Sequence, residues 1–422
     1  MKSASNSLLA VAITAFALVA AVSCDSREHQ TVASSPAASD AMRIAALRDA
    51  AIANGFVPAA ELELPTLPAR VAAGKLIFES PKMSINGEIS CRDCHLSEFG
   101  SADGLPNAIG VGGSGKGADR LNSGGRILPR NALPFWGRGG KGFTTFFWDG
   151  KVTVNGDEVV SQYGHAAPST DPLKVAVHLP SVELREMVAD TQEARNAFVS
   201  ENVQAADAIQ ATLSERFRTD PEIGPLLMLA YPDQSGSITF DHIADALTHF
   251  IRHEFRIRET AFETFVFGEG QISEDQLAGG ILFYGRGRCA ACHSGPYFSD
   301  FDFHSVAFPQ AGFGKNGFGI DEGRYNVTLD PKDRFLFRTP PLYNVTMTAP
   351  YSHSGSVVTL DDAIIAHFDP LRLIDTENMN VNERSDLFAR LGPASRETLP
   401  SALTDEEVSQ LAAFLRMLEF EM

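Results

Sequence analysis

The spacing of apolar and polar positions along the chain predicts a mainly α protein with long loops and little strand. Helices are predicted over four ranges: 183–218, 238–267, near 359–368 and near 404–419. A further helix is expected to start at Asp40, a residue type that commonly caps helices, and to stop at Gly55. Residues 100–150 and 295–357 are poorly periodic, so they are predicted to be loops.

One helical pattern occurs twice in the chain. The first copy runs from Pro68 to Phe78, and the second runs from Asp275 to Phe283. In both copies a glycine precedes a Leu/Ile-Phe sequence by about one turn, and the pattern then leads into a Cys-x-x-Cys-His motif. The repetition predicts an internal duplication of a small helical unit.

The duplication, together with a polar linker candidate at Asp233-Gln-Ser-Gly236, predicts two mainly α domains. Each is expected to carry one Cys-x-x-Cys-His motif. The predicted division of the chain is residues 1–24, a signal peptide; 25–60, a tether and N-terminal helix; 61–235, the N-terminal domain; and 236–422, the C-terminal domain.

The start of the chain is typical of an exported bacterial protein. Lys2 is followed by an apolar run from Leu8 to Val22, which is typical of a signal peptide. The segment that ends at Cys24 resembles a lipoprotein cleavage box, which makes Cys24 a candidate for lipid attachment. An ordinary cut near Ser23 is the alternative. Both interpretations place the protein in the periplasm, and the first anchors it to a membrane through Cys24.

The composition narrows the choice of partner. The chain has 422 residues, with 35 Lys and Arg against 53 Asp and Glu, so its formal net charge is −18. This acidic balance argues against nucleic acid, whose phosphates attract basic surfaces. It favours a basic protein partner.

Four of the five cysteines belong to the sequences Cys91-Arg-Asp-Cys94-His95 and Cys289-Ala-Ala-Cys292-His293. This spacing lets two thiols attach to one porphyrin while the histidine reaches the iron. Zinc is the rival, but a zinc site needs a fourth ligand at short spacing. In an exported chain the motifs favour two covalently bound haem c groups, with His95 and His293 as proximal iron ligands.

Two such motifs in an exported chain of this size resemble the bacterial diheme cytochrome c peroxidase and MauG family. The supporting sequences are Arg130-Asn-Ala132, Phe147-Trp-Asp-Gly-Lys151, Arg338-Thr-Pro-Pro-Leu-Tyr-Asn-Val345 and Thr348-Ala-Pro-Tyr-Ser-His-Ser-Gly355. The resemblance implies two cytochrome c-like domains, each with one covalently bound haem. It also implies that peroxide reacts at the N-terminal haem and that the C-terminal haem transfers electrons.

The resemblance also assigns catalytic roles near the N-terminal haem. Glu183, in Pro180-Ser-Val-Glu183, is the candidate distal acid/base, and Glu186 is the near rival because it immediately precedes Met187. A surface glutamate at a helix start is the structural alternative. Trp148 matches the tryptophan that lies between the two haems in the family, so it is the candidate electron relay.

The same resemblance assigns iron ligands. Position 367, seventeen residues after Pro350, carries the second axial ligand of the C-terminal haem, and here it is His367. Bis-histidine ligation is expected to lower the potential relative to His/Met ligation. His353 is an alternative that we expect to be structural. Typical peroxidases cap the oxidised N-terminal iron with a second histidine, but Val111 occupies that position here, so that iron is expected to be open.

A calcium ion is a further expectation from the family. Asn131, Thr348 and Pro350 match positions that hold calcium through backbone or amide oxygens. Homodimers are common in the family, although no residue of this sequence decides the oligomeric state.

Three functions are compatible with these features. The first is reduction of hydrogen peroxide with electrons from a small cytochrome c or a cupredoxin. The second is a MauG-like oxidation of Tyr or Trp in a partner protein, which the non-methionine ligand keeps open. The third is a diheme electron carrier, which Glu183 and an open N-terminal haem disfavour.

Overall fold

Helices dominate the residues that the computed structural model describes, which are 36–164, 167–189, 203–234, 236–315, 317, 319–394 and 402–421. The α-helices are α1 Pro36–Ala53, α2 Pro68–Glu79, α3 Ala118–Leu121, α4 Pro172–His178, α5 Val203–Arg218, α6 Ile223–Ala230, α7 Phe240–Glu254, α8 Ala261–Phe267, α9 Glu274–Tyr284, α10 Tyr325–Thr328, α11 Leu360–Phe368, α12 Val381–Ala394 and α13 Asp405–Leu415. The predicted fold class is confirmed.

The strands are short. They are β1 Thr145–Phe146, β2 Val152–Asn155, β3 Glu158–Ser161, β4 Phe303–His304 and β5 Phe337–Arg338. The first three form an antiparallel sheet in which Phe146 pairs with Val152, and β4 pairs with β5 through Phe303 and Arg338. The turn that joins β1 to β2 is therefore the Phe-Trp-Asp-Gly-Lys segment, which the sheet holds in place.

Local sequence sets where several helices begin. The hydroxyls of three residues each accept a hydrogen bond from a backbone N–H in the first turn of the following helix, which satisfies donors that lack a partner within that helix. These residues are Ser273 before α9, Thr359 before α11 and Thr404 before α13. Ser273 and Thr404 form reciprocal capping boxes with Gln276 and Glu407.

The internal duplication is visible as a repeated packing arrangement. Helix α2 packs against α7, and α9 packs against α13. A Cβ atom on Gly74 would collide with the carbonyl oxygen of Ala246, and one on Gly279 would collide with that of Gln410. Both contacts therefore require glycine, because no larger residue permits the two backbones to approach so closely.

The helices differ from the expected ones at several points. Helix α1 begins at Pro36 and not at Asp40, and the range 238–267 forms two helices, α7 and α8. Residues 183–189 form a turn instead of the start of a helix, because the Glu183 carbonyl accepts hydrogen bonds from the N–H groups of both Met187 and Val188. Helix α6 was not predicted, since Gly224 and Pro225 interrupt its apolar pattern. Helix α12 was not predicted either, since it is polar and contains Pro393.

The chain divides into two compact units, residues 1–41 and residues 42–422, and only the start of α1 is described in the first. The division into haem domains near residue 235 stays a prediction. The signal peptide and Cys24 lie outside the described residues. Within the described residues, no helix combines the length and apolar character that a membrane span needs.

Candidate active site

A cavity of about 550 Å³ surrounds the first Cys-x-x-Cys-His motif. The two cysteines and the histidine of the motif line this cavity: Cys91, Cys94 and His95. The candidate electron relay Trp148 and three charged side chains line it as well: Lys151, Glu183 and Glu186. The structure thus brings together residues from three separate stretches of the chain.

His95 is prepared to bind a metal through one nitrogen. Its Nδ1 lies 2.9 Å from the carbonyl oxygen of Ser101, to which it donates a hydrogen bond. Burial lowers the pKa of the ring to about 3, so the imidazole is neutral. The hydrogen bond places the proton on Nδ1 and leaves the lone pair on Nε2, as a metal-binding histidine requires. Cys91 and Cys94 are free thiols.

At the second motif, the ring of His293 lies close to the ring of His367. Nδ1 of His293 lies 2.9 Å from the Phe298 carbonyl, and Nδ1 of His367 lies 2.7 Å from the Ala363 carbonyl. Both rings therefore present Nε2, and their centroids are 6.3 Å apart. If both Nε2 atoms bind one metal at about 2 Å, the two ring centres are about 6 Å apart, because each centre lies about 1 Å behind its nitrogen. The pair fits two axial ligands of one iron.

His353, the alternative ligand, has a different environment. Its Nε2 lies 3.1 Å from the amide oxygen of Gln310, and its ring stacks on Phe337 at a centroid distance of 3.9 Å. Protein groups therefore occupy both the Nε2 atom and one face of the His353 ring. This is the structural role that the sequence predicts.

The alternative that the two motifs bind zinc receives little support. The described residues contain one cluster of metal-binding side chains, Cys292, Asp300 and His304, with donor atoms within 4.8 Å of one another. This cluster omits Cys289 and His293, and no equivalent exists at the first motif in the described part of the chain. The donor set at both motifs, two free thiols and an imidazole with an open Nε2, fits covalently attached haem better.

The two candidate acid/base residues lie on one tight turn at the cavity. Arg185, between them, has a left-handed backbone with φ of 70°. Lys151 lies 3.3 Å from the Glu183 carboxylate and holds the pKa of Glu183 below its usual value. Burial raises the pKa of Glu186 to about 7. Glu183 is not at a helix start, and position alone does not choose between the two carboxylates.

Trp148 occupies the hairpin turn between β1 and β2 and lines the cavity. Its indole N–H donates to the Asn131 carbonyl at 3.0 Å, and its own carbonyl accepts a hydrogen bond from the Arg338 N–H at 2.8 Å. Arg338 belongs to β5, whose partner β4 includes His304 of the cluster beside Cys292. The relay role stays a prediction, and the contact toward the second motif is made by the Trp148 backbone, not by its indole.

A buried ion-pair network fixes the turn that contains Trp148 and Asp149. The sequence did not predict this network. Arg130 lies 2.6 Å from Asp149 and 2.6 Å from Asp321, and both aspartate side chains are fully buried. Although burial opposes ionisation, Arg130 and Lys315 hold the pKa of Asp149 well below its usual value. The available signal was that Arg130 and Asp149 each belong to a family motif.

The expected calcium ligands are only partly gathered. The Asn131 amide nitrogen donates to the Pro350 carbonyl at 2.8 Å and to the Leu105 carbonyl at 3.1 Å. The Thr348 hydroxyl donates to the Val345 carbonyl at 2.9 Å. In this arrangement hydrogen bonds already satisfy the Pro350 carbonyl, so calcium stays a prediction.

The structure describes Val111, the residue at the position of the family's capping histidine. The Val111 side chain is buried in the core, and its N–H donates to the Arg185 carbonyl at 3.0 Å. Among the described residues, His95 is the only histidine that lines the cavity. The next two histidines along the chain are His165 and His178. His178 contacts the rings of Phe240 and Tyr163, and His165 lies outside the described residues.

Comparisons with known proteins agree with this geometry. A family model described as di-haem cytochrome c peroxidase matches residues 68–271, which include the first motif. The chain is 28% identical over 352 residues to the methylamine utilization protein MauG of Methylorubrum extorquens, covering 81% of each chain. It is 26% identical to cytochrome c551 peroxidase of Pseudomonas aeruginosa, covering 69% of each. The chain is thus similar to proteins of the diheme cytochrome c peroxidase and MauG family over most of its length.

A solved structure is similar over most of the chain. A MauG-like protein associated with microbial copper homeostasis is 25% identical, with a TM-score of 0.62, and the match covers 87% of this chain and 93% of that one. These similarities support a peroxidase-type oxidoreductase, and the diheme family that the chain resembles implies two haem cofactors. Its specific reaction belongs to the proposal that follows.

Proposed function

We propose that this protein is an exported diheme peroxidase that reduces hydrogen peroxide to water. The observation that carries the proposal is that His95, Glu183 and Glu186 line the same cavity. Haem c attached at Cys91 and Cys94 would supply an iron with an open position and the electrons for reduction. Export to the periplasm, and lipid attachment at Cys24, are supported by the sequence alone.

The side chains of the cavity would handle the protons. Peroxide takes up two electrons and two protons and leaves as two waters, so a base must move a proton between its oxygens. Glu183 is suited to accept that proton, because its pairing with Lys151 keeps it ionised. Glu186 is suited to exchange protons near neutral pH, because burial brings its pKa to about 7.

The second site would receive electrons. His293 and His367 would hold the iron of the haem attached at Cys289 and Cys292, with both axial positions filled. Such a site binds no peroxide and suits electron transfer. A small cytochrome c or a cupredoxin would donate, and the net charge of −18 favours a basic one. Trp148 is the proposed relay between the two sites.

A MauG-like oxidation of Tyr or Trp in a partner protein is the second candidate. Two observations favour it: histidine instead of methionine at position 367, and Val111 where peroxidases carry a capping histidine. The 28% identity to MauG supports the same candidate. The electron-carrier function has no such support, because a carrier needs no acid/base pair beside its iron.

Steady-state peroxide consumption with a reduced cytochrome c donor tests the proposal. We expect turnover that requires both haems and that is lost in His95→Gly. The matched control is His353→Gln, which alters a buried histidine outside the proposed ligand set. Negligible turnover by an intact protein with both haems would reject peroxide reduction and leave partner oxidation, which a labelled Tyr- or Trp-containing protein would then report.

A further inference from the structure

Two arginines are buried beside the candidate site without enough partners. Arg138 is 5% exposed and Arg338 is 1% exposed. Nε and Nη2 of Arg138 and Nη1 of Arg338 are buried and have no hydrogen-bond partner. Within the described residues, neither guanidinium forms an ion pair with a carboxylate. A buried charge normally has a counter-charge, so the fold as it stands lacks an anion here.

Arg138 faces the first motif. Its side chain lines the cavity that contains Cys91, Cys94 and His95. Its guanidinium carbon lies 4.5 Å from the centre of the Phe135 ring, and that ring stacks on His95 at 3.7 Å. The Arg138 side chain therefore borders the cavity that a porphyrin attached to this motif would enter.

Arg338 lies on the side of the second motif. Its guanidinium carbon is 5.9 Å from the centre of the Phe301 ring, and the preceding residue, Asp300, donates its N–H to the Cys292 carbonyl at 2.8 Å. The Nε of Arg338 donates to the Phe147 carbonyl at 3.1 Å, next to Trp148. One edge of this guanidinium is thus held in place while Nη1 is left without a partner.

The two cations are neighbours. Arg138 lies 5.9 Å from the ring centre of Phe146, Arg338 lies 5.8 Å from that of Phe143, and these two rings are 5.0 Å apart. Burial lowers the pKa of both arginines to about 9, and the proximity of Arg338 contributes to the shift at Arg138. Both still carry their charge at neutral pH, so two like charges sit together in the interior.

We propose that Arg138 and Arg338 form a carboxylate-binding site for the haem propionates, Arg138 for the haem at the first motif and Arg338 for the haem at the second. A guanidinium offers a planar fork of N–H donors that matches a carboxylate, and a charge-assisted pair of this kind is strong. The propionates would supply the anions that the protein itself does not. This inference rests on haem binding in the proposed function, and not on peroxide turnover.

The site would also tune the haem potentials. A positive charge near the iron favours the ferrous state over the ferric state, because the ferric state carries one more positive charge. Replacing either arginine by a neutral residue should therefore lower the midpoint potential of the haem that it serves. We expect at least a tenfold change in the reduction equilibrium, which corresponds to about 59 mV for a one-electron couple.

The test uses the holoprotein with Arg138→Gln and Arg338→Gln. Haem content, midpoint potentials from spectroelectrochemical titration, and the propionate bending modes in the resonance Raman spectrum are measured. Arg138→Lys and Arg338→Lys keep the positive charge but lose the planar pair of N–H donors. They should shift the propionate modes and change the midpoint potential less than the Gln variants do. The matched control is Arg258→Gln, since Arg258 also has an unpartnered nitrogen, stacks on Trp136 and Phe420, and does not line the cavity.

Shifted propionate modes with a lowered potential in the Gln variants, and neither change in Arg258→Gln, would support the proposal. Unchanged modes and potentials in variants that keep both haems would overturn it. If the Gln variants do not fold, unchanged propionate modes in the Lys variants would overturn it equally. Absence of haem from the unaltered protein would instead reject the proposed function, so the two failures are distinguishable.

Discussion

Replacement of Glu183 by glutamine tests which carboxylate moves the proton. Glutamine keeps the shape of the side chain but cannot accept a proton, while Lys151 at 3.3 Å remains as a neighbour. Because Lys151 keeps Glu183 ionised at neutral pH, the whole enzyme population depends on this base, and the full effect of its loss should be seen. We expect the reaction with peroxide to slow by about a hundredfold or more, which is about 2.7 kcal/mol in the barrier.

The pH dependence provides a second, independent signature. The pKa of Glu183 lies below its ordinary value of 4.5, so its basic form persists at neutral pH and is lost only as the pH falls through that lowered pKa. A rate that depends on Glu183 should therefore be constant from about pH 5 to 8. A rate that depends on Glu186 should change around pH 7, where burial places its pKa.

Stopped-flow mixing of the fully oxidised protein with peroxide measures the rate constant over this pH range. Glu186→Gln is the matched control, since it removes a carboxylate from the same turn and the same cavity. Haem content and spin state should be unchanged in both variants. A hundredfold loss in Glu186→Gln but not in Glu183→Gln, together with a transition near pH 7, would refute the assignment and move the role to Glu186.

Three further outcomes are expected. His367→Gly should convert the C-terminal haem from low spin to high spin in electron paramagnetic resonance without altering the His95 haem, and His367→Met should restore low spin at a higher potential; an unaltered low-spin signal would place the ligand elsewhere. The fully oxidised protein should have a high-spin His95 haem and react with peroxide without prior reduction; a lag that only a reductant abolishes would contradict this. Asp149→Asn should destabilise the fold by about 3–5 kcal/mol in urea unfolding, because it leaves the buried Arg130 charge short of a partner. Since the pKa of Asp149 is lowered in the folded state, its contribution should be present above its ordinary pKa of about 4 and be lost as the pH falls further; equal stability of the variant and the unaltered protein at pH 7 would show that the ion pair contributes nothing.

Short-range sequence patterns account for what could be predicted directly. The Cys-x-x-Cys-His spacing places three chemical groups on one turn, and the carbonyls that orient His95 and His293 come from Ser101 and Phe298, only six and five residues further along. The helix starts before α9, α11 and α13 depend on a hydroxyl and a backbone N–H within three residues. Such features need no knowledge of the fold.

The resemblance to a family extended the prediction to distant residues. It located His367, and the structure places that ring opposite His293 across 74 positions of sequence. It located Trp148 and Glu183, which the structure places in one cavity. No periodicity or spacing within this single sequence links these residues, because their proximity depends on how the helices and long loops pack.

Only the tertiary structure revealed the charges that act on the site. Lys151 beside Glu183, the burial of Glu186, and the pair Arg138 and Arg338 all arise from contacts between distant segments. The sequence by itself determined the attachment motifs, the helix caps and the helical class, because these depend on neighbours along the chain. Protonation and counter-charge were decided by the fold, because they depend on burial and on distances through space that the order of residues does not contain.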